Sequence, residues 1–167
     1  MIETIKENTQ MLLFRFRDYK SKDFIEEHTR ILLEKGFVWM LKAGKKTSER
    51  KLRQILDDGG WMILRAPKSK GSKMFLAQYT TFQCIEPKET IYPTYYTDFI
   101  NQDDDEDEYY RDNTVLQWFR LISLVPFPEK SKQCIVLSKS FSPVDNVIKT
   151  TRTAVMFVTN IDKITLE

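Results

Sequence analysis

Two glycine stops set the terms on which this chain can fold. Gly36 ends one stretch of helical periodicity, Asp58-Gly59-Gly60 ends another, and each stop runs straight into a short apolar segment. Before Gly36, the residues Phe24, Ile25, His28, Ile31 and Leu32 recur on one helix face, with Ser21 or Asp23 available as the cap. Before Asp58, Leu52, Ile55 and Leu56 share a face behind Ser48. The intervening apolar segments are short and rich in strand formers: residues 11–16 (MLLFRF), 37–42 (FVWMLK) and 61–66 (WMILRA). Helix and strand therefore alternate over the first third of the chain, as two βα units in succession.

The remainder reads as mainly β. Residues 73–83 (KMFLAQYTTFQ) follow residues 61–66 through PKSKGSK, a hairpin-like link punctuated by Pro67 and Gly71. Residues 114–125 (TVLQWFRLISLV) form a long apolar strand ended by PFP, and residues 133–138 (QCIVLS) and 154–158 supply two shorter ones. Ser142-Pro143 opens a helical turn through Ile148, with proline at the first helical position. The expected fold class is α+β: a mixed β-sheet curled into a barrel, with two or three helices packed outside. A length of 167 residues with 41% hydrophobic content suits one core, so residues 1–167 are expected to form a single domain. Residues 84–113 hold five tyrosines and an acidic run without any sustained period, and are expected to be a flexible loop.

Several chemistries find no support. His28 is the one histidine, and its place on the apolar helix face reads as packing and not as a general base. Cys84 and Cys134 stand far apart and outside any Cys-x-x-Cys pair, so neither a zinc site nor a redox motif is expected; a reducing cytoplasm fits. Neither GxxxxGK[ST] nor GxGxxG occurs. The acidic run over residues 103–108 lacks the glycine and terminal glutamate of a calcium-binding EF-hand loop. No cofactor is expected. No apolar stretch approaches the ~18–20 residues of a membrane span, and no export signal is expected at the N-terminus.

Charge and aromatic content point elsewhere. The net charge of +2 conceals that six acids sit in one run; setting them aside leaves 18 acids facing 26 lysines and arginines. Lys42, Lys45, Lys46, Arg50, Lys68, Lys70 and Lys73 gather around two turns, where they are candidates for phosphate contact. Three tryptophans and seven tyrosines supply faces on which nucleobases stack.

The order of elements carries a resemblance. The stretch GFVWMLKAGKKTSERKLRQILDDGGWMILRAPKSKGSKMFLAQYTTF looks like the middle of a YTH domain: a Gly-x-Trp strand, a helix with Lys-Leu near its start, an apolar strand, a Gly-Lys-type hairpin and a further strand. WFRLISLVPFPEK is similar to the late strand of that family, and VLSKSFSPVDNVIKTTRTAVMFV to its closing region. EVE and other PUA-like domains share this layout. The resemblance implies a non-enzymatic reader that flips a modified base, such as 6-methyladenine or a methylated cytosine, out of DNA or RNA into an aromatic cage. By position, Trp39 matches the first cage wall, one of Tyr92, Tyr95 or Tyr96 the second, and Asp18 and Met40 the base-edge contacts. Such domains serve as the specificity part of prokaryotic modification-dependent restriction systems, which implies a separate motor and nuclease as partners. Two rival readings carry different chemistry: a protein-interaction or regulatory module of a phage or defence system that uses the acidic tyrosine-rich loop, and a small metal-dependent hydrolase or nuclease that uses the acidic run.

Overall fold

The computed structural model describes residues 3–100, 115–149, 151 and 153–166, with only the backbone of Phe99. Nine strands and four α-helices occur among them: β1 (Glu3–Ile5), β2 (Met11–Arg15), α1 (Phe24–Lys35), β3 (Val38–Gly44), α2 (Glu49–Asp57), β4 (Trp61–Arg65), β5 (Met74–Gln83), α3 (Tyr95–Ile100), β6 (Val115–Pro126), β7 (Ile135–Leu137), α4 (Val144–Val147), β8 (Val155–Asn160) and β9 (Ile164–Leu166). No helix among the described residues is long and apolar enough to cross a membrane.

The helices start and stop as local chemistry dictates. Asp23 accepts the Glu26 N–H at 2.8 Å, satisfying one of the orphan donors of the first turn of α1, and Gly36 ends the helix in the left-handed conformation at φ 86°. Ser48 caps α2 through the Lys51 N–H. At Gly60, φ is 75° and an added Cβ would lie 2.2 Å from the Tyr79 carbonyl oxygen, so only glycine allows β4 to start this close to β5.

Seven strands form one sheet in the order β3-β6-β5-β4-β2-β8-β7, and β1 pairs with β9 in a separate ribbon. Only β2 and β4 run parallel; the other pairs are antiparallel. Alternation along the strands sends side chains to two faces. Leu12 and Phe14 of β2, Val38 and Met40 of β3, Met62 and Leu64 of β4, and Phe119 and Leu121 of β6 meet in one buried cluster with Phe24, Leu52 and Ile55 of the helices. β3, at one end of the order, and β2, four places along, share this core because the sheet curls. It does not close: β3 and β2 are not hydrogen-bonded to each other, so the barrel expected from the sequence is an open, curled sheet.

The outward face divides into two further clusters. Met11, Leu13, Trp61, Ile63, Met156 and Val158 pack under the β1-β9 ribbon and α4, with Ile5, Ile164 and Val144 as the cover. Trp39, Leu41 and Trp118 pack under the segment that contains α3, through Tyr92, Tyr95 and Tyr96. That segment is the described part of residues 84–113, the stretch expected to be a flexible loop, and it is anchored to the sheet. Residues 95–100 are helical, and the Trp39 N–H donates to the Ile91 carbonyl at 2.9 Å, which ties the segment to β3. The acidic run, Tyr109 and Tyr110 lie outside the described residues.

Candidate nucleobase site

The unclosed seam between β2 and β3 holds a cavity of about 400 Å³. This lies within the ~300–1,000 Å³ range of small-molecule sites. Phe14, Phe24, Leu41 and Ala43 form its apolar floor, Tyr19, Tyr95 and Tyr96 its aromatic wall, and Arg15, Arg17 and Asp18 its polar rim.

Local structure aims each of these groups. A short bridge between Tyr19 and Lys22, with Lys22 N–H donating to the Tyr19 carbonyl at 2.9 Å, turns the chain after β2 and holds Tyr19 over the opening. Its ring stacks on that of Tyr95, with centroids 5.5 Å apart and planes 12° from parallel. Asp18 accepts the Phe24 N–H at 2.8 Å and pairs with the Lys70 ammonium, which also lies 3.3 Å from Asp23. Both carboxylate oxygens of Asp18 are thereby oriented, and each retains a lone pair for a donor in the cavity.

Behind the aromatic wall sits His28, buried without exposed surface. Its Nδ1 lies 2.7 Å from the Phe24 carbonyl oxygen, which can only accept, so Nδ1 carries the proton. Nε2 then accepts from the Tyr96 hydroxyl at 2.6 Å. Burial is the largest influence on the imidazole and lowers its pKa to about 4, so the ring is neutral at pH 7. Burial likewise pushes the Tyr95 and Tyr96 phenols above their ordinary value, so both remain protonated. The Tyr96 proton is committed to His28. The Tyr95 hydroxyl, by contrast, is buried beside that of Tyr96 and makes no hydrogen bond of normal geometry among the described residues.

The structure thus brings together Asp18, Tyr95 and Tyr96 and separates the other predicted site residues from them. Trp39 does not line the cavity. It is 8% exposed, packs with Trp118 and Tyr92, and edges a different groove with Phe37, Ile85 and Arg120. Tyr92 lies beneath the surface, its ring 5.1 Å from Trp118 and its hydroxyl donating to Glu86 at 2.7 Å. Met40 has no exposed surface and faces the interior cluster, so it presents nothing to a base edge. Strand alternation explains the correction: Trp39 and Leu41 face outward, and the residue between them must face in.

The basic candidates divide in the same way. Lys42 is buried and donates to the Lys45 carbonyl at 2.7 Å, with desolvation lowering its pKa; it clips a turn and is not available to phosphate. Lys45, Lys46 and Arg50 are exposed, Lys46 pairing with Glu49 at 3.4 Å. Lys68 donates to the Lys149 carbonyl, Lys70 is held by Asp18 and Asp23, and Lys73 is exposed beside Phe75. The polar and aromatic lining residues that the sequence did not mark out individually are Arg15, Arg17 and Tyr19. The arginine that closes the apolar run MLLFR is the signal that was there to be read for Arg15.

A family model described as Pua-like matches residues 12–151. The chain belongs to the Pua-like family. The match spans every element from β2 to α4, and the curled, mostly β architecture with few helices agrees with a Pua-like fold. Pua-like membership supports nucleic-acid binding and modified-base recognition in general. No curated protein and no solved structure matches the chain.

Proposed function

We propose that this Pua-like domain is a YTH- or EVE-type reader that takes one modified base of a nucleic acid into the β2–β3 seam. The observation that carries the reading is the composition of the cavity. A stacked pair of tyrosines stands beside a carboxylate already fixed by the Phe24 N–H, and beside the Tyr95 hydroxyl, which makes no hydrogen bond of normal geometry among the described residues. Planar aromatic ligands satisfy the first feature, and a base edge satisfies the other two. An exocyclic amine donates to Asp18, a ring nitrogen accepts from Tyr95, and a methyl substituent rests on the apolar floor of Phe14, Leu41 and Ala43.

The base stacks on the Tyr19–Tyr95 pair. Insertion between the two rings requires a separation of about 7 Å, twice the ~3.5 Å contact distance, whereas their centroids are 5.5 Å apart. Removing a base from a duplex costs a few kcal/mol, offset by stacking and edge contacts inside the cavity. The mechanism breaks no bond. A role as the specificity part of a modification-dependent restriction system belongs to the same reading, with the motor and nuclease on partner chains or domains.

Fluorescence-anisotropy titrations with matched unmodified, 6-methyladenine and 5-methylcytosine oligonucleotides, as DNA and as RNA, test the proposal. Selective binding that disappears in Tyr95→Ala supports it. Binding indifferent to modification reduces the chain to a basic surface, and absence of binding favours the protein-interaction reading.

A further inference from the structure

Arg65 is the most unusual side chain in the molecule. It ends β4, is 1% exposed, and none of its three guanidinium nitrogens makes a hydrogen bond among the described residues. An arginine does not shed its proton inside a protein, so its positive charge stays in the interior, and among the described residues no acid pairs with it. The charge that acts on it has the same sign. Arg15 is its register partner on the adjacent parallel strand β2, and alternation places both on the outward face of the sheet. Burial and the proximity of Arg15 both disfavour the charge of Arg65. Arg15 lines the seam cavity, and Arg17 lines it two residues further on.

We infer that Arg15, Arg17 and Arg65 form a phosphate site at the edge of the seam cavity, with Arg15 and Arg17 touching the oxyanion and Arg65 acting from one strand behind. The apolar setting gives Arg65 this reach. Without solvent around its guanidinium, its field is screened far less than that of an exposed lysine, and it falls on the Arg15 side of the cavity. An oxyanion there supplies the missing counter-charge. Planar guanidinium groups match phosphate oxygens in pairs, which compact ammonium groups do not. The phosphate contacts are thereby moved away from the lysines of the two turns to the same opening that receives the base. The inference rests on the proposed base reading only for the source of the phosphate.

Two measurements test it. In the isotope-labelled wild-type protein, the arginine Nε–H resonances are followed while inorganic phosphate is added at constant ionic strength, the Arg65 signal being assigned by its absence from Arg65→Met. Saturable shifts of Arg65 together with Arg15, not reproduced by chloride, are expected; an Arg65 signal that ignores phosphate overturns the inference. Separately, affinities for a nucleoside and its 5′-monophosphate are compared. The wild type should favour the monophosphate by about tenfold, as one charge-assisted contact implies, and Arg65→Met should bind both alike. An undiminished preference in Arg65→Met overturns the inference. Arg65→Met should also melt at a higher temperature than wild type, since it removes an unpaired buried charge; if that variant does not fold, the resonance shifts of the wild type, assigned through Arg65→Lys, decide. Displacement of a bound oligonucleotide by inorganic phosphate assigns the site to backbone phosphate, and phosphate binding without displacement assigns it to a free anion. The phosphate titration contains no base and nucleoside selectivity involves no phosphate, so failure here and failure of the base reading are separate results.

Discussion

Trp39 and Leu41 stand on the same face of β3, and they open on different places. Leu41 forms part of the seam cavity, while Trp39 edges a groove with Phe37, Ile85 and Arg120. Both places are aromatic, and the difference lies in what their polar groups already do. In the groove the Arg120 guanidinium lies 4.1 Å from the centre of the Phe37 ring and donates to Thr80 at 3.2 Å, so ring face and cation already serve each other. In the cavity the Tyr95 hydroxyl makes no hydrogen bond of normal geometry, and the Arg65 guanidinium, one strand behind the rim, makes none among the described residues. Trp118 Nε1 is also unpartnered but is sealed beneath Tyr92 and Tyr96, lining neither place. On the proposed reading, a binding site is marked by unsatisfied polar groups that a ligand can complete, and a tryptophan near the surface is not by itself such a mark.

The sharpest way to break this comparison is to remove the tryptophan. Trp39→Ala should cost about 3–5 kcal/mol of stability, the usual penalty for truncating a buried aromatic, measured by urea denaturation. The folded fraction should retain its base selectivity. Selectivity lost in a folded Trp39→Ala protein would place the base in the groove instead.

Acid should act on the cavity side through His28. Its folded pKa of about 4 lies below the ordinary 6.5, so the unfolded chain binds the proton more readily. The neutral ring therefore contributes stability that is fully present above pH 6.5 and is lost as pH falls from 6.5 through 4. The loss amounts to about 3 kcal/mol. Denaturant midpoints measured across this range should flatten in His28→Gln; an unchanged slope would show that the dependence comes from other groups.

Tyr95→Ala should weaken binding of the preferred modified oligonucleotide by about 1–3 kcal/mol, the worth of one stacked base, as read by anisotropy. Tyr96→Phe removes the donor to His28 Nε2 and should cost about 1–3 kcal/mol of stability. Its effect on base binding should be smaller than that of Tyr95→Ala, because the Tyr96 proton is already used. The smallest effect is expected at the β3–α2 turn. Lys42→Met should leave the salt dependence of nucleic-acid affinity unchanged, since its ammonium is bound to the Lys45 carbonyl. A shallower salt slope in that variant would return Lys42 to the phosphate contacts.

Much of the fold was legible in the residues. The caps at Asp23 and Ser48, the stop at Gly36 and the alternation within MLLFR, VWMLK and WMILR are local events, and local chemistry predicts them. The ribbon of β1 and β9 was not legible. Its two three-residue strands join opposite ends of the chain and exist only as a cover for the outer core. Nor was α3: its six residues show no amphipathic period, because Tyr95 turns to Tyr19 while Tyr96 turns to His28.

Sequence by itself determined the strands from β2 to β8 and the helices α1, α2 and α4, that His28 faces a packed interior, and that aromatic and basic residues are plentiful enough to meet a nucleic acid. Those properties follow from spacing and composition along the chain. Tertiary structure alone decided which tyrosines face the seam, that Trp39 falls outside it, that Met40 and Lys42 are buried, and that Arg65 has no hydrogen-bond partner among the described residues. Each of these depends on where a curled sheet stops short of closing. That seam is set by the packing of β2 and β3, strands that never hydrogen-bond to one another and whose approach leaves no periodic trace in the sequence.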